Sequence, residues 1–136
     1  AAMIEATLFN RRDELPRITA LVERLCDEHQ VSADIRADIQ VALDEALVNV
    51  ISHAYRDDAP HRIHVKLDVS DGRFIAVVED DGIAFDPLSL PAPALGDNVE
   101  DRAIGGLGVH LMRSLMSEVT YARADGRNRL TLVRQV

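Results

Sequence analysis

A domain of α/β or α+β class is predicted by three features of the sequence. Two long segments repeat apolar residues at helical spacing, an alternating pair of segments flanks Asp71-Gly72, and β-forming runs return near the C-terminus. In order along the chain, Ala6-Thr7-Leu8-Phe9 reads as a short strand. Over residues 14–29, Leu15, Ile18, Leu21, Val22 and Leu25 mark an amphipathic helix, with Pro16 tolerable in its first turn. Ser32 is the expected N-cap of a second helix reaching about residue 54, with a core stripe of Ile35, Ile39, Ala42, Leu43, Ala46, Leu47, Val50 and Ile51. After the polar stretch 56–60, Ile63, Val65, Leu67 and Val69 alternate with polar residues, Asp71-Gly72 turns, and Phe74-Ile75-Ala76-Val77-Val78 returns as the second arm of a hairpin. Residues 86–108 hold three prolines and four glycines and read as loose. An apolar helix near 109–116 follows, with Leu111, Met112, Leu115 and Met116 as core, and then two strands around Thr120 and Leu132.

Composition narrows the function. At 136 residues and 47% apolar content the chain is expected to be a single domain over 3–136, with Ala1 and Ala2 read as a cloning remnant. Fifteen basic against 23 acidic residues leave a net charge of -8, which argues against direct nucleic-acid binding through phosphates and suits a basic protein partner. One cysteine allows no internal disulfide and no cysteine metal cluster, so a reducing compartment, the cytoplasm, is expected. No apolar run has the length of a membrane span and the N-terminus has no signal-peptide pattern.

Three stretches carry chemistry. Glu45 and Asn49 stand four apart on the second helix, a quarter-turn from its core stripe, and share that side with Val41 and Val48. A solvated flank is the simpler account of the periodicity alone; a pocket wall also accounts for the two valines beside a lone Glu and Asn. Gly105-Gly106-Leu107-Gly108 precedes an apolar helix, so its amides can approach an anion at the positive end of the helix dipole, although such a run also serves as a flexible loop. The strand ending in Val78 runs into Asp80-Asp81-Gly82, more than the one Asp and one Gly an ordinary turn needs. A carboxylate fixed at a strand end can accept from the exocyclic amino group of adenine, and a glycine beside it lets the base lie against the backbone.

In that order, E-x-x-x-N (Glu45, Asn49), D-x-G-x-A-F-D (Asp80 to Asp86) and G-G-L-G (Gly105 to Gly108) resemble the three nucleotide boxes of the GHKL, or Bergerat-fold, ATPases. Within that superfamily, DEALVNVISHAY (44–55) and GGLGVHLMRSLMSEVTY (105–121) resemble the anti-sigma-factor serine kinases of bacterial partner switching, over nearly the whole chain. The resemblance implies a two-layer sandwich, with a mixed sheet covered on one face by helices. It implies ATP and Mg2+ as cofactors, phosphorylation of a serine on an anti-sigma-factor antagonist, sequestration of a sigma factor, and room for a homodimer. By the same resemblance Glu45 is the general base, Asn49 the Mg2+ ligand, and Asp80 the adenine acceptor with Gly82 beside it. Gly105, Gly106, Leu107 and Gly108 form the phosphate loop and residues 86–102 the lid, where Arg102 either steadies phosphate or is solvated; Thr131 resembles the late-strand threonine that touches adenine in relatives. Ala84 stands where many relatives have glycine, which bears on the lid hinge. Two other readings stay open: an ATP-responsive binding module without phosphotransfer, and a histidine-kinase catalytic domain. His53 is read either as facing phosphate or as capping the helix end, and His61 and His64 as pointing to opposite faces of a strand.

Overall fold

The computed structural model describes residues 3–89 and 106–136. Its elements are β1 (Ile4–Phe9), α1 (Leu15–Glu28), α2 (Ala33–His53), β2 (Arg62–Ser70), β3 (Arg73–Asp80), α3 (Gly106–Leu115), β4 (Glu118–Ala124) and β5 (Arg127–Gln135), with short 3-10 turns at Arg12–Glu14 and Pro87–Ser89. The predicted elements are present with boundaries shifted by a few residues. The larger difference is at α3, which begins at Gly106 and not near Val109, so Gly106 to Gly108 form its first turn. Arg102, Gly105 and most of the expected lid lie outside the described residues.

Each helix follows from its sequence. Pro16 sits in the first turn of α1, where its missing N–H has no helical partner to lose. Gln30, with φ of 56°, turns the chain after α1, and Val31 N donates to Cys26 O at 3.0 Å. The Ser32 side chain accepts from Ile35 N at 3.4 Å and caps α2. The stripe Ile39, Ala42, Leu43, Ala46 and Leu47 is buried, each large side chain contributing about 1.5–3 kcal/mol on leaving water, while Ile35, Val50 and Ile51 pack around it half-buried. Arg36 ties α2 to α1 through Glu23 at 2.8 Å and Asp27 at 2.6 Å. Cys26 lies in the core on α1, its thiol pKa pushed up by burial.

The sheet order is β1-β2-β3-β5-β4, and all four pairings are antiparallel. The two-layer α/β class is as predicted, but the described sheet is not mixed. Two-residue hairpins account for half of this: Asp71-Gly72 and Asp125-Gly126 both have positive φ, the type I′ geometry whose twist matches paired strands. β3 and β5, separated in the chain by α3 and β4, also pair antiparallel.

Alternation puts Ile63, Val65, Leu67 and Val69 of β2 and Phe74, Ala76 and Val78 of β3 on the face beneath the helices. The register carries this face across the sheet. Ala76, Leu132 and Val119 form one transverse row, Val78, Leu130 and Tyr121 the next, and Asp80, Asn128 and Arg123 the last. The inner face therefore ends in a row of carboxylate, amide and guanidinium.

Candidate functional site

Asp80 reaches the core face because it continues the alternation of Phe74, Ala76 and Val78 by one step. It is 3% exposed, and burial pushes its carboxyl pKa up, opposed by hydrogen bonds from Asn128 and the Gly82 N–H. Gly82 N and Asn128 Nδ2 both donate to Oδ1, each at 2.9 Å, so among the described residues both bonds fall on one oxygen and Oδ2 remains for a ligand donor.

Gly82 has a structural reason that the sequence did not suggest. A Cβ there would stand 2.4 Å from Ala54 O and 2.7 Å from Ala54 Cβ, at the end of α2. Ile83 N donates to the same carbonyl at 2.9 Å. The glycine thus lets the Asp80 turn dock on the helix terminus, and Tyr55 OH donates to Asp81 Oδ1 at 2.8 Å just beyond it. From β4, Arg123 donates to Gly82 O at 2.8 Å.

Between α2 and this end of the sheet lies a pocket. Asn49, Asp80 and Asn128 supply its polar wall; Ala46, Val50, Val78 and Leu130 supply an apolar floor, and Phe85 and Pro87 close it. Its free volume is about 20 Å³, room for one water and far below the roughly 300–1,000 Å³ of a small-molecule site. A purine does not fit in that volume as it stands. Phe85 has two holds: its N–H donates to Asn128 Oδ1 at 3.4 Å, and its ring lies 5.9 Å from that of His53. His53, the last residue of α2, thus stands beside an aromatic ring at the pocket's edge. The Pro87–Ser89 turn is held by Asp86, whose Oδ1 accepts from Leu88 N at 2.8 Å, and by Arg113 of α3, which donates to Leu88 O at 2.7 Å.

Glu45 faces α3. A Cβ on Gly108 would stand 2.4 Å from Glu45 Oε2, so the carboxylate lies against the first turn of that helix. Burial, and next the charge of Asp44, push the Glu45 pKa above the usual carboxylate range. Asn49 follows one helical turn later and lines the pocket.

The fold thus brings Glu45, Asn49, Asp80, Gly82 and Gly108 around one end of α2. Thr131 is not brought there. It pairs with Val77 and Thr120, on the opposite face of the sheet from Asp80, because the side-chain period of two puts Asn128 and Leu130 inward instead. Ala84 is exposed and does not line the pocket. Val41, which shares that side of α2, is 43% exposed, as on a solvated flank. His61 precedes β2, stacks on Tyr55 at 3.9 Å and bonds Asp57 at 2.6 Å, while His64 bonds Thr7 across β1. Asn128, Tyr121 and Arg123 were missed. The available signal was parity: Asn128 is a polar residue in phase with Leu130 and Leu132.

Residues 9–134 match the model of the histidine kinase-like ATPase domain family. The chain is 35% identical over 111 residues to the serine/threonine-protein kinase BtrW of Bordetella bronchiseptica, covering 82% of this chain and 78% of that protein. It is 31% identical over 93 residues to the serine-protein kinase RsbW of Bacillus subtilis, covering 65% of this chain and 58% of that one. Among solved structures, that of the RsbU and RsbW domains from Mycobacterium tuberculosis matches with a TM-score of 0.71 at 20% identity, over 99% of this chain and 32% of that one. The SiaB–SiaC complex of Pseudomonas aeruginosa matches with a TM-score of 0.60 at 16% identity, over 99% of this chain and 89% of that one. At these identities the two structures bear on the fold alone.

Proposed function

The chain belongs to the histidine kinase-like ATPase domain family and is homologous to bacterial serine-protein kinases, and from that premise we propose that it is an ATP-dependent kinase of a protein serine that also sequesters a sigma factor. The observation that carries the chemistry is the placement of Glu45 against the first turn of α3, beside a pocket that ends in the Asp80 carboxylate. In this reading Asp80 Oδ2 accepts from the adenine amino group, and the amides opening α3 face the phosphates at the positive end of the helix dipole. Glu45 then takes the proton of the serine hydroxyl as the serine Oγ–phosphorus bond forms, the bond from the γ-phosphorus to its bridging oxygen breaks, and ADP leaves. Burial suits Glu45 to this task, because a carboxylate with a raised pKa is the stronger base.

The donor set is compatible with magnesium. Asn49 offers a hard amide oxygen, and no group of three or more His, Cys, Asp or Glu gathers among the described residues, as fits an ion held mainly by phosphate and water oxygens. Asn49 would hold the ion, which when bound neutralises phosphate charge.

The phosphate acceptor is proposed to be a serine of an anti-sigma-factor antagonist. The net charge of -8 supports binding of a sigma factor through its basic DNA-binding surface. A cytoplasmic setting goes with these partners; among the described residues no helix is long and apolar enough to cross a membrane. Incubation with γ-labelled ATP and the cognate antagonist is expected to move label onto one serine of the antagonist. Binding of ATP with no transfer would instead leave a nucleotide-responsive binding module.

The two glycines separate folding from catalysis. Gly82→Ala forces a methyl group into the backbone of Ala54 and is expected to cost about 1–3 kcal/mol, read as a lowered melting temperature. Gly108→Ala meets the Glu45 side chain most closely at its carboxylate, the far end of a flexible side chain, and alanine is the better helix former by about 1 kcal/mol. Its melting temperature should hold or rise while phosphotransfer falls, because Glu45 is pushed aside. Equal loss of stability in both variants would contradict this account of Gly108.

A further inference from the structure

Asn128 is 6% exposed, and all four of its side-chain hydrogen-bonding sites are filled. Nδ2 donates to Asp80 Oδ1 at 2.9 Å and to Ile83 O at 2.8 Å. Oδ1 accepts from Tyr121 OH and from Phe85 N. A flip of the amide would set its oxygen against a carboxylate and a carbonyl, and its NH2 against the Phe85 N–H. One orientation is therefore strongly preferred.

We infer that Asn128 is a positioning residue that sets which purine the nucleotide site accepts, by holding Asp80 with one oxygen engaged and the other presented to the pocket. The inference rests on the reading of Asp80 as the adenine acceptor. Its basis is the geometry of the last transverse row, where Asp80 and Asn128 stand directly opposite on β3 and β5. The Gly82 N–H alone would leave the carboxylate free to turn about its axis, offering either oxygen or edge to a base. With Asn128 donating as well, Oδ1 carries two bonds that converge from the turn and from the neighbouring strand. The bond to Ile83 O and the one from Phe85 N extend the same clamp to the segment that closes the pocket, so the acceptor and the wall beside it are set by one side chain.

The test compares three nucleotides: ATP, GTP, and a purine riboside triphosphate bearing hydrogen in place of the 6-amino group. Wild type is expected to bind ATP about 10–100-fold more tightly than the 6-hydrogen analogue, the worth of one hydrogen bond to a charged acceptor. Asn128→Ser, which is too short to reach both Asp80 and Ile83, should bring the ratio of the ATP and 6-hydrogen affinities down to within about threefold, whatever the change common to all three nucleotides. Asn128→Leu, which keeps the volume and removes the NH2 without placing a charge beside Asp80, gives the same reading if the serine variant does not fold. A variant that keeps the wild-type preference, or that weakens all three nucleotides equally, overturns the inference. A wild type with no preference for the 6-amino group overturns the reading of Asp80 itself.

Discussion

Glu45→Gln is expected to fold, to bind Mg-ATP at close to wild-type affinity, and to transfer phosphate about 10²–10⁴-fold more slowly. Glutamine keeps the length and shape that pack against Gly108, and it cannot take a proton from serine. The pH dependence has a definite sign. Glu45 must be ionised to act, and burial with the charge of Asp44 raises its pKa, so wild-type transfer should fail as pH drops through a value above the ordinary carboxylate range. The glutamine variant should lack this acid limb. Single-turnover transfer across pH, beside nucleotide titrations, measures both. Asn49→Ala is the contrast, since loss of a Mg2+ ligand should weaken nucleotide binding itself. Transfer at the wild-type rate in Glu45→Gln would remove Glu45 from the chemistry.

Asp80→Asn should cost about 1.5–3 kcal/mol of ATP binding, roughly 10–150-fold in Kd, and narrow the preference for ATP over GTP. The retained Oδ1 can still accept from Gly82 and Asn128, so the new NH2 points to the pocket, where it opposes the adenine amino group and suits the guanine carbonyl. The same variant should gain stability at neutral pH. Asp80 has a folded pKa raised by burial, so the stability linked to its protonation is complete below the unfolded pKa and is lost as pH rises through the folded one. Asparagine carries no such penalty. Titration with both nucleotides and thermal melts from acid to neutral pH test the two halves separately; unchanged ATP affinity would exclude Asp80 as the base acceptor.

What could be read from sequence was local or periodic. The stripe from Ile39 to Leu47, the Ser32 cap and the Asp71-Gly72 hairpin each depend on neighbours within a few positions, and all are present. Glu45, Asn49 and Asp80 were legible as motif residues, but that Glu45 faces Gly108 and that Gly82 abuts Ala54 depend on helix packing that no spacing encodes. Asn128 was hidden because its partner Asp80 is 48 residues away, joined only by the β3–β5 register. Register also explains the displaced expectation at Thr131, where a step of three along the strand reverses the face.

The buried thiol on α1 turns the protein into its own unfolding clock. Cys26 is the sole cysteine of the chain and is 0% exposed, so a thiol reagent reaches it only when α1 lifts from α2 and the sheet. The labelling rate of the unmodified protein therefore reports that opening, with no reporter group added. A ligand that binds only the closed form slows labelling by the factor 1 + [L]/Kd when opening and closing are fast, so nucleotide affinity can be read from the alkylation of a residue that never touches the nucleotide.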